Sequence, residues 1–147
     1  MVIKMDLKFI NDNVIFQCRV GVLLKEDNKI LVERKVGINH VTLPGGKIQL
    51  NETSILAGIR EIKEETGLDI EFIKHIKTIE NIFKSNFNEY NYHEILFINE
   101  YKFKKDTNKI VNIEDKNKDL ITYEWLDKEE LIKNKFVPTS LIECLNI

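Results

Sequence analysis

Prolines, cysteines, glycines and tryptophan are scarce in this chain: two, two, six and one in 147 residues. Each shortage excludes something. With only Pro44 and Pro138, neither a collagen-like repeat nor a proline-rich linker is available. Cys18 and Cys144 stand far apart without the paired spacing of a zinc or redox motif, so two buried free thiols are expected. The three histidines, His40, His75 and His93, are isolated, and no second histidine lies four residues after His93, so the metalloprotease signature is absent. No stretch approaches the roughly 18 apolar residues of a membrane span. The opening MVIKMDLKFINDN holds no apolar run long enough for a signal peptide, so a cytoplasmic protein is expected. Neither sign of charge dominates: 22 basic against 24 acidic residues leave a net charge of −2. That excludes a broad electrostatic grip on nucleic acid or an acidic membrane, and a small anionic ligand would need local positive charge.

What is present is the composition of a soluble globular protein, 43% hydrophobic and 31% charged, with a length suited to one domain over residues 1–147. The most constrained stretch is Leu43 to Leu68, LPGGKIQLNETSILAGIREIKEETGL. At Pro44-Gly45-Gly46 a turn is expected in which backbone can approach a ligand, since glycine has no Cβ. A helix follows from Thr53, its predicted N-cap, to Thr66, with Gly67 as the left-handed residue that ends it. At ~100° per residue, Ile55, Ile59 and Ile62 fall within ~60° of one another and form the stripe expected to face the core. Measured from Ile55, Glu64, Glu61 and Glu65 lie at ~180°, ~240° and ~280°, so three carboxylates share the opposite face. Ala57 and Gly58 lie on that side too, which leaves room for a ligand to approach the acids. A solvated face is the commoner fate of such a triplet. Here the repulsion among three neighbouring carboxylates is what a hard cation offsets, and Mg²⁺ or Mn²⁺ suits those oxygens.

Gly46, Glu52, Arg60, Glu61, Ile62, Glu64, Glu65, Gly67 and Leu68 fill every fixed position of the Nudix box. At average composition the pattern recurs by chance on the order of 10⁻⁷ times in a chain this long. The chain therefore resembles a MutT-like Nudix hydrolase. The resemblance implies an α/β/α sandwich with a mixed β-sheet. It also implies Mg²⁺-dependent hydrolysis of a nucleoside diphosphate-linked substrate, a (d)NTP or oxidised NTP among the candidates, by attack of water at phosphorus. Implied metal ligands are the Gly45 carbonyl, Glu61, Glu64 and Glu65. Implied catalytic residues are Glu64, Glu65, Arg60 and Asp119, with Asp115 the alternative to Asp119 as a loop base before Trp125. Arg34, Lys47 and Gly46 are the implied substrate contacts, and Arg60 with Glu52 would hold and orient the carboxylates. The plainer roles are a surface strand charge for Arg34, a solvated side chain for Lys47 and solvated loop acids for Asp115 and Asp119.

The implied partner is a small nucleotide, with neither nucleic acid nor membrane involved, and homodimers are common in the family. Two rival readings are a non-catalytic regulatory Nudix domain and an ADP-ribose-type sugar nucleotide pyrophosphatase. Retention of every box carboxylate argues against the first. Against the second, ADP-ribose hydrolases carry a proline downstream of the last box glycine, where this chain has Ile82 and Phe83. Some oxidised-nucleotide hydrolases place an asparagine before the last helix, where Thr139 and Ser140 stand here. The substrate is left open.

Around the box, strands are expected near residues 5–10, from Val14 to Lys25 and, as its hairpin partner, from Ile30 to Lys35. Further strands are expected at Val41 to Leu43, through Leu68 to Ile82, from Tyr92 to Phe103 and from Leu120 to Leu126. A charged loop should run from Lys104 to Lys118. Asp127 should cap a short helix to Lys133, and a last helix should begin at Val137-Pro138-Thr139-Ser140 and run to about Leu145.

Overall fold

The computed structural model describes residues 4–105 and 121–147. Asp115, Asp119 and nearly all of the expected loop from Lys104 to Lys118 lie outside the described residues. The strands are β1 (Lys8–Asn11), β2 (Val14–Glu26), β3 (Lys29–Lys35), β4 (Val41–Thr42), β5 (Gly45–Lys47), β6 (Ile70–Lys84), β7 (Asn91–Phe103) and β8 (Ile121–Leu126). Helix α1 spans Ser54–Thr66, α2 spans Lys128–Lys133, and a 3-10 turn covers Thr139–Cys144. The expected C-terminal α-helix is thus a 3-10 segment of six residues whose N-cap, Pro138, offers no side-chain hydrogen bond. No helix among the described residues is long and apolar enough to cross a membrane.

The sheet is mixed, and β2 is its hub. It pairs antiparallel with β1 and β5 and parallel with β7 from Val14↔Asn91 to Leu24↔Tyr101. β7 continues antiparallel into β6, while β3 carries β4 and β8. The expected hairpin of β2 with β3 forms only at its tip, where Lys25 faces Ile30 and Glu26 faces Lys29. Beyond the tip the strands part, because each finds another partner. Pro44 enters the gap, its carbonyl accepting from the Val22 N–H at 2.8 Å. This parting opens the cavity described below.

Strand alternation sorts the core into two layers. Val22, Leu24 and Leu31 pack with Ile62 of α1, Ile70, Tyr101 and Tyr123. Leu23, Ile30 and Val32 pack with Leu131 of α2 and with Phe136, Leu141 and Leu145. Helical segments therefore cover both faces, as the α/β/α expectation required. Cys18 and Cys144 are free thiols, half-buried rather than buried.

Helix α1 begins and ends as its sequence dictates. The Thr53 hydroxyl accepts from the Leu56 N–H at 3.2 Å, and Gly67 adopts φ 78°. Its orientation differs from the expectation. The fully buried residues are Ala57, Gly58 and Ile62, while Ile55 and Ile59 are half-buried. The inward face is turned toward Gly58 because the Tyr101 ring lies against that glycine, occupying the space a Cβ would need. The Tyr101 hydroxyl donates to the Ser54 and Ile55 carbonyls at 3.2 and 3.0 Å. Gly58 thus makes room for a core tyrosine, not for a ligand. Gly58→Ala is expected to destabilise the protein by about 1–3 kcal/mol through overpacking, although alanine is the better helix former. Urea unfolding measures it, and a raised midpoint would show that Tyr101 yields.

Candidate active site

The rotation of α1 carries two of its three carboxylates inward. Glu61 lies against the backbone of Gly46, where a Cβ would overlap its carboxyl group. Gly46 therefore leaves the space in which the Glu61 carboxyl, held by Arg60, sits, and a Cβ there would displace that carboxyl. Gly45, one residue earlier, faces Gly21 across the β5–β2 ladder, where a Cβ would run into the Val20 carbonyl.

Arg60 binds this corner together. Its Nε donates to Glu52 Oε2 at 2.7 Å and its Nη2 to Glu52 Oε1 at 2.9 Å, a two-pronged pair. Nη2 also donates to the Lys47 carbonyl at 3.0 Å, and Nη1 to Glu61 Oε1 at 3.0 Å and Glu64 Oε2 at 3.3 Å. The hydrogen bonds from Arg60 hold the Glu52 carboxyl below its usual range, and those to Glu52 push the guanidinium upward. Burial raises Glu61 despite the neighbouring Arg60.

Glu65 is the most perturbed acid. Burial pushes it up to about 8, with the charge of Glu33 adding to the shift and a hydrogen bond from Tyr123 opposing it. Tyr123 Oη donates to Glu65 Oε2 at 2.9 Å. The charge of Glu61 adds to the rise at Glu65, so the two carboxyls are near enough to disfavour each other's ionisation. Glu33, on β3, is buried, and burial raises its carboxyl too. It lines a cavity of about 500 Å³ between the parted β2 and β3, together with Arg19, Lys35 and Thr42. Glu33 thus links the pair to a hollow of nucleotide size: its charge acts on Glu65 and that of Glu61 acts on it, although neither Glu61 nor Glu65 lines the hollow.

A model of the NUDIX domain matches residues 16–142. The chain belongs to the NUDIX family. It is 38% identical over 56 residues to the 8-oxo-dGTP diphosphatase of Escherichia coli strain K12, across 35% of this chain and 43% of that one. To a MutT-like protein of Streptomyces ambofaciens it is 39% identical over 51 residues, 35% of this chain and 33% of the other. The match spans less than half the length of either relative. Among solved structures, the MutT protein of Bacillus halodurans superposes with a TM-score of 0.65 at 16% identity, over 86% of this chain and 80% of that one. That of Methanosarcina mazei Go1 gives 0.60 at 19%, over 88% and 90%. At such identities the superpositions establish the fold.

The three carboxylates of the NUDIX box helix lie at different depths. Glu61 and Glu65 turn inward, whereas Glu64 lies outward with its side chain 52% exposed and paired with Arg60. Among the described residues no three His, Cys, Asp or Glu side chains are gathered into a metal cage. The donor set nonetheless fits a hard divalent cation. Two half-buried neighbouring carboxyls, with a third acid on the same helix, are an excess of oxygen donors that a cation would neutralise.

Other expected site residues are dispersed. Arg34 donates to Glu124 Oε2 at 3.0 Å and Asn134 Oδ1 at 2.8 Å, which ties β3 to β8 and to the end of α2, and it does not line the cavity. Lys47 is half-buried, and burial with the nearby charges of Arg19 and Lys8 pushes its ammonium down. Arg19, Glu33 and Tyr123 went unnoticed in the sequence. The one available signal was Glu33 two residues after the buried Leu31, hence on the same face of the strand.

The Glu65 shift fixes the sign of a pH dependence. In the metal-free protein its carboxyl titrates near 8 when folded and near the ordinary 4.5 when unfolded. Both states are protonated below the lower value, while above the higher one the folded state carries a buried charge. The stability difference between wild type and Glu65→Gln should therefore shift against wild type as pH rises from about 4.5 to about 8. Urea melts in chelator across that range measure it, and a flat difference would place Glu65 in ordinary solvent.

Proposed function

We propose that this chain hydrolyses a phosphoric anhydride bond in a nucleoside diphosphate-linked small molecule, with water attacking phosphorus. A nucleotide pyrophosphatase acting on a (d)NTP or oxidised NTP is the form of that reaction favoured by its resemblance to the E. coli 8-oxo-dGTP diphosphatase. The observation that carries the reading is that Glu61 and Glu65 turn inward, Glu61 resting against Gly46, with Glu33 of the cavity wall near enough for its charge to act on Glu65. Two neighbouring acids half-buried together are costly to a fold and are expected where their charge is used. The reading takes the chain as one cytoplasmic domain, with a homodimer to be decided by its mass in solution.

Glu61, Glu64, Glu65 and the Gly45 carbonyl would hold Mg²⁺ or Mn²⁺. Bound there, the ion would polarise phosphate oxygens and acidify a water. Glu65, aimed by Tyr123, is the acid of this helix best placed to take the proton of the attacking water, with Asp119 the rival. Arg60 positions Glu61 and fastens the helix to the glycine turn through the Lys47 carbonyl. Arg19 and Lys35 supply positive charge along the cavity wall, with Lys47 behind Arg19, while Arg34 stays with β8 and α2.

The test is turnover in Mg²⁺ with 8-oxo-dGTP, the dNTPs, ADP-ribose, NADH and diadenosine polyphosphates, products being separated by chromatography. At least one should be cleaved. Tight binding of any of them with no product from the whole set would favour a regulatory, non-catalytic domain.

A further inference from the structure

β6 ends the sheet, and among the described residues no strand pairs with its outer edge. It is also long, 15 residues without a proline, whereas exposed edges are ordinarily kept short so that they do not recruit another chain. Apolar side chains stand in the open along it: Ile73, Ile82 and Phe83 are 44%, 76% and 44% exposed.

The pairing of β6 with β7 tells which side chains share a face. Phe72, His75, Thr78, Glu80 and Ile82 stand opposite Tyr101, Asn99, Phe97, Ile95 and His93, on the α1 side of the sheet. Lys74, Lys77, Ile79, Asn81 and Phe83 stand on the cavity side, opposite Glu100, Ile98, Leu96, Glu94 and Tyr92. The register slips once between Phe72 and Lys74 and once between His75 and Lys77, so Ile73 and Ile76 are left out of the ladder.

Antiparallel pairing of a strand with its own copy, about a two-fold axis through the sheet, sets one residue against itself and the others against partners on the same face. If the new ladder omits Ile73 and Ile76 as the existing one does, an axis at Thr78 uses nearly the full strand. Glu80 then faces a histidine that can donate to it, His75, while Ile82 faces Phe72 and Asn81 faces Lys74. An axis at Lys77 or Glu80 would oppose like charges, and one at Ile79 would set Phe72 against Lys84 and Ile82 against His75. Thr78 is thus the position at which the edge complements itself, apolar against apolar and acid against histidine.

We propose that two copies of this chain join edge to edge through β6, antiparallel about a two-fold axis at Thr78, into one continuous sheet. The contact is independent of hydrolysis. It bears on the cavity all the same, because the second copy's Lys74 comes to lie beside Asn81, a residue of the cavity wall, and adds positive charge at its rim.

Light scattering or sedimentation of the whole chain at micromolar concentration is expected to give twice the mass of one chain. Thr78→Lys sets two ammonium groups face to face on the axis and should weaken dimerisation at least about tenfold, read as the dissociation constant on dilution. Glu80→Lys should weaken it as well, by opposing a cation to His75. Adding His75→Glu to Glu80→Lys should recover most of that loss, since the exchanged charges meet only between copies: within one chain Thr78 stands between the two positions on their common face. All three residues are exposed, so the circular dichroism of each variant should match wild type. A monomer at every concentration leaves the edge to another chain or to none and overturns the proposal. So does a dimer indifferent to Thr78→Lys and Glu80→Lys, which would lie on another surface, or a Glu80→Lys defect that His75→Glu does not relieve.

Discussion

Glu65→Gln is expected to leave the protein folded and to lower kcat on the order of a thousandfold, with little change in KM. The glutamine carbonyl can still accept the Tyr123 hydrogen bond that Glu65 Oε2 receives at 2.9 Å, so the side chain keeps its anchor. What disappears is the ability to carry negative charge or take a proton at a place where burial already holds the carboxyl up to about 8. A neutral residue suits that environment better when the protein is metal-free, so the variant should melt no lower than wild type above pH 8. Steady-state kinetics on whichever substrate the panel identifies, paired with thermal melts, separates lost chemistry from lost fold. A rate within tenfold of wild type would take Glu65 out of the reaction.

Arg60→Ala should cost about 3–5 kcal/mol of stability and most of the activity as well. Alanine removes both prongs to Glu52, the bonds to Glu61 and Glu64, and the bond to the Lys47 carbonyl. It leaves the Glu52 and Glu61 side chains, 14% and 15% exposed, without the cation that balances them. Arg60→Lys should recover only part of the loss, because a point-like ammonium cannot bind Glu52 through two parallel N–H groups while reaching Glu61. Urea unfolding of the three proteins is the measurement. A cost below about 1 kcal/mol for alanine would mean that the corner is solvated and its ion pairs behave as surface ones.

Much of this molecule could be read before any coordinates. Thr53 and Gly67 bound α1, and Asp127 caps α2 with a reciprocal bond to Glu130, because caps depend on residues only a few positions apart. The glycine turn and the box were legible for the same reason. The misreadings share a cause. Three isoleucines suggested which side of α1 is buried, yet the helix packs Gly58 against the Tyr101 ring and so turns Glu61 and Glu65, but not Glu64, inward. β3 was expected as the hairpin partner of β2, and it is one only at the tip, because β2 pairs with β7 and β3 with β8 beyond it.

Sequence alone therefore determined the family of the chain, the limits of its box helix and the set of acids available for chemistry, all of which are local in the chain or fixed by short spacing. Tertiary structure alone decided that Glu61 and Glu65 turn inward while Glu64 faces outward, that Arg34 is occupied elsewhere, and that Glu33 and Tyr123 join the acids of the box. The reason is the sheet register. It sets side chains from β2, β3, β6, β7 and β8 next to one another across tens of residues of sequence, and no local pattern encodes that meeting.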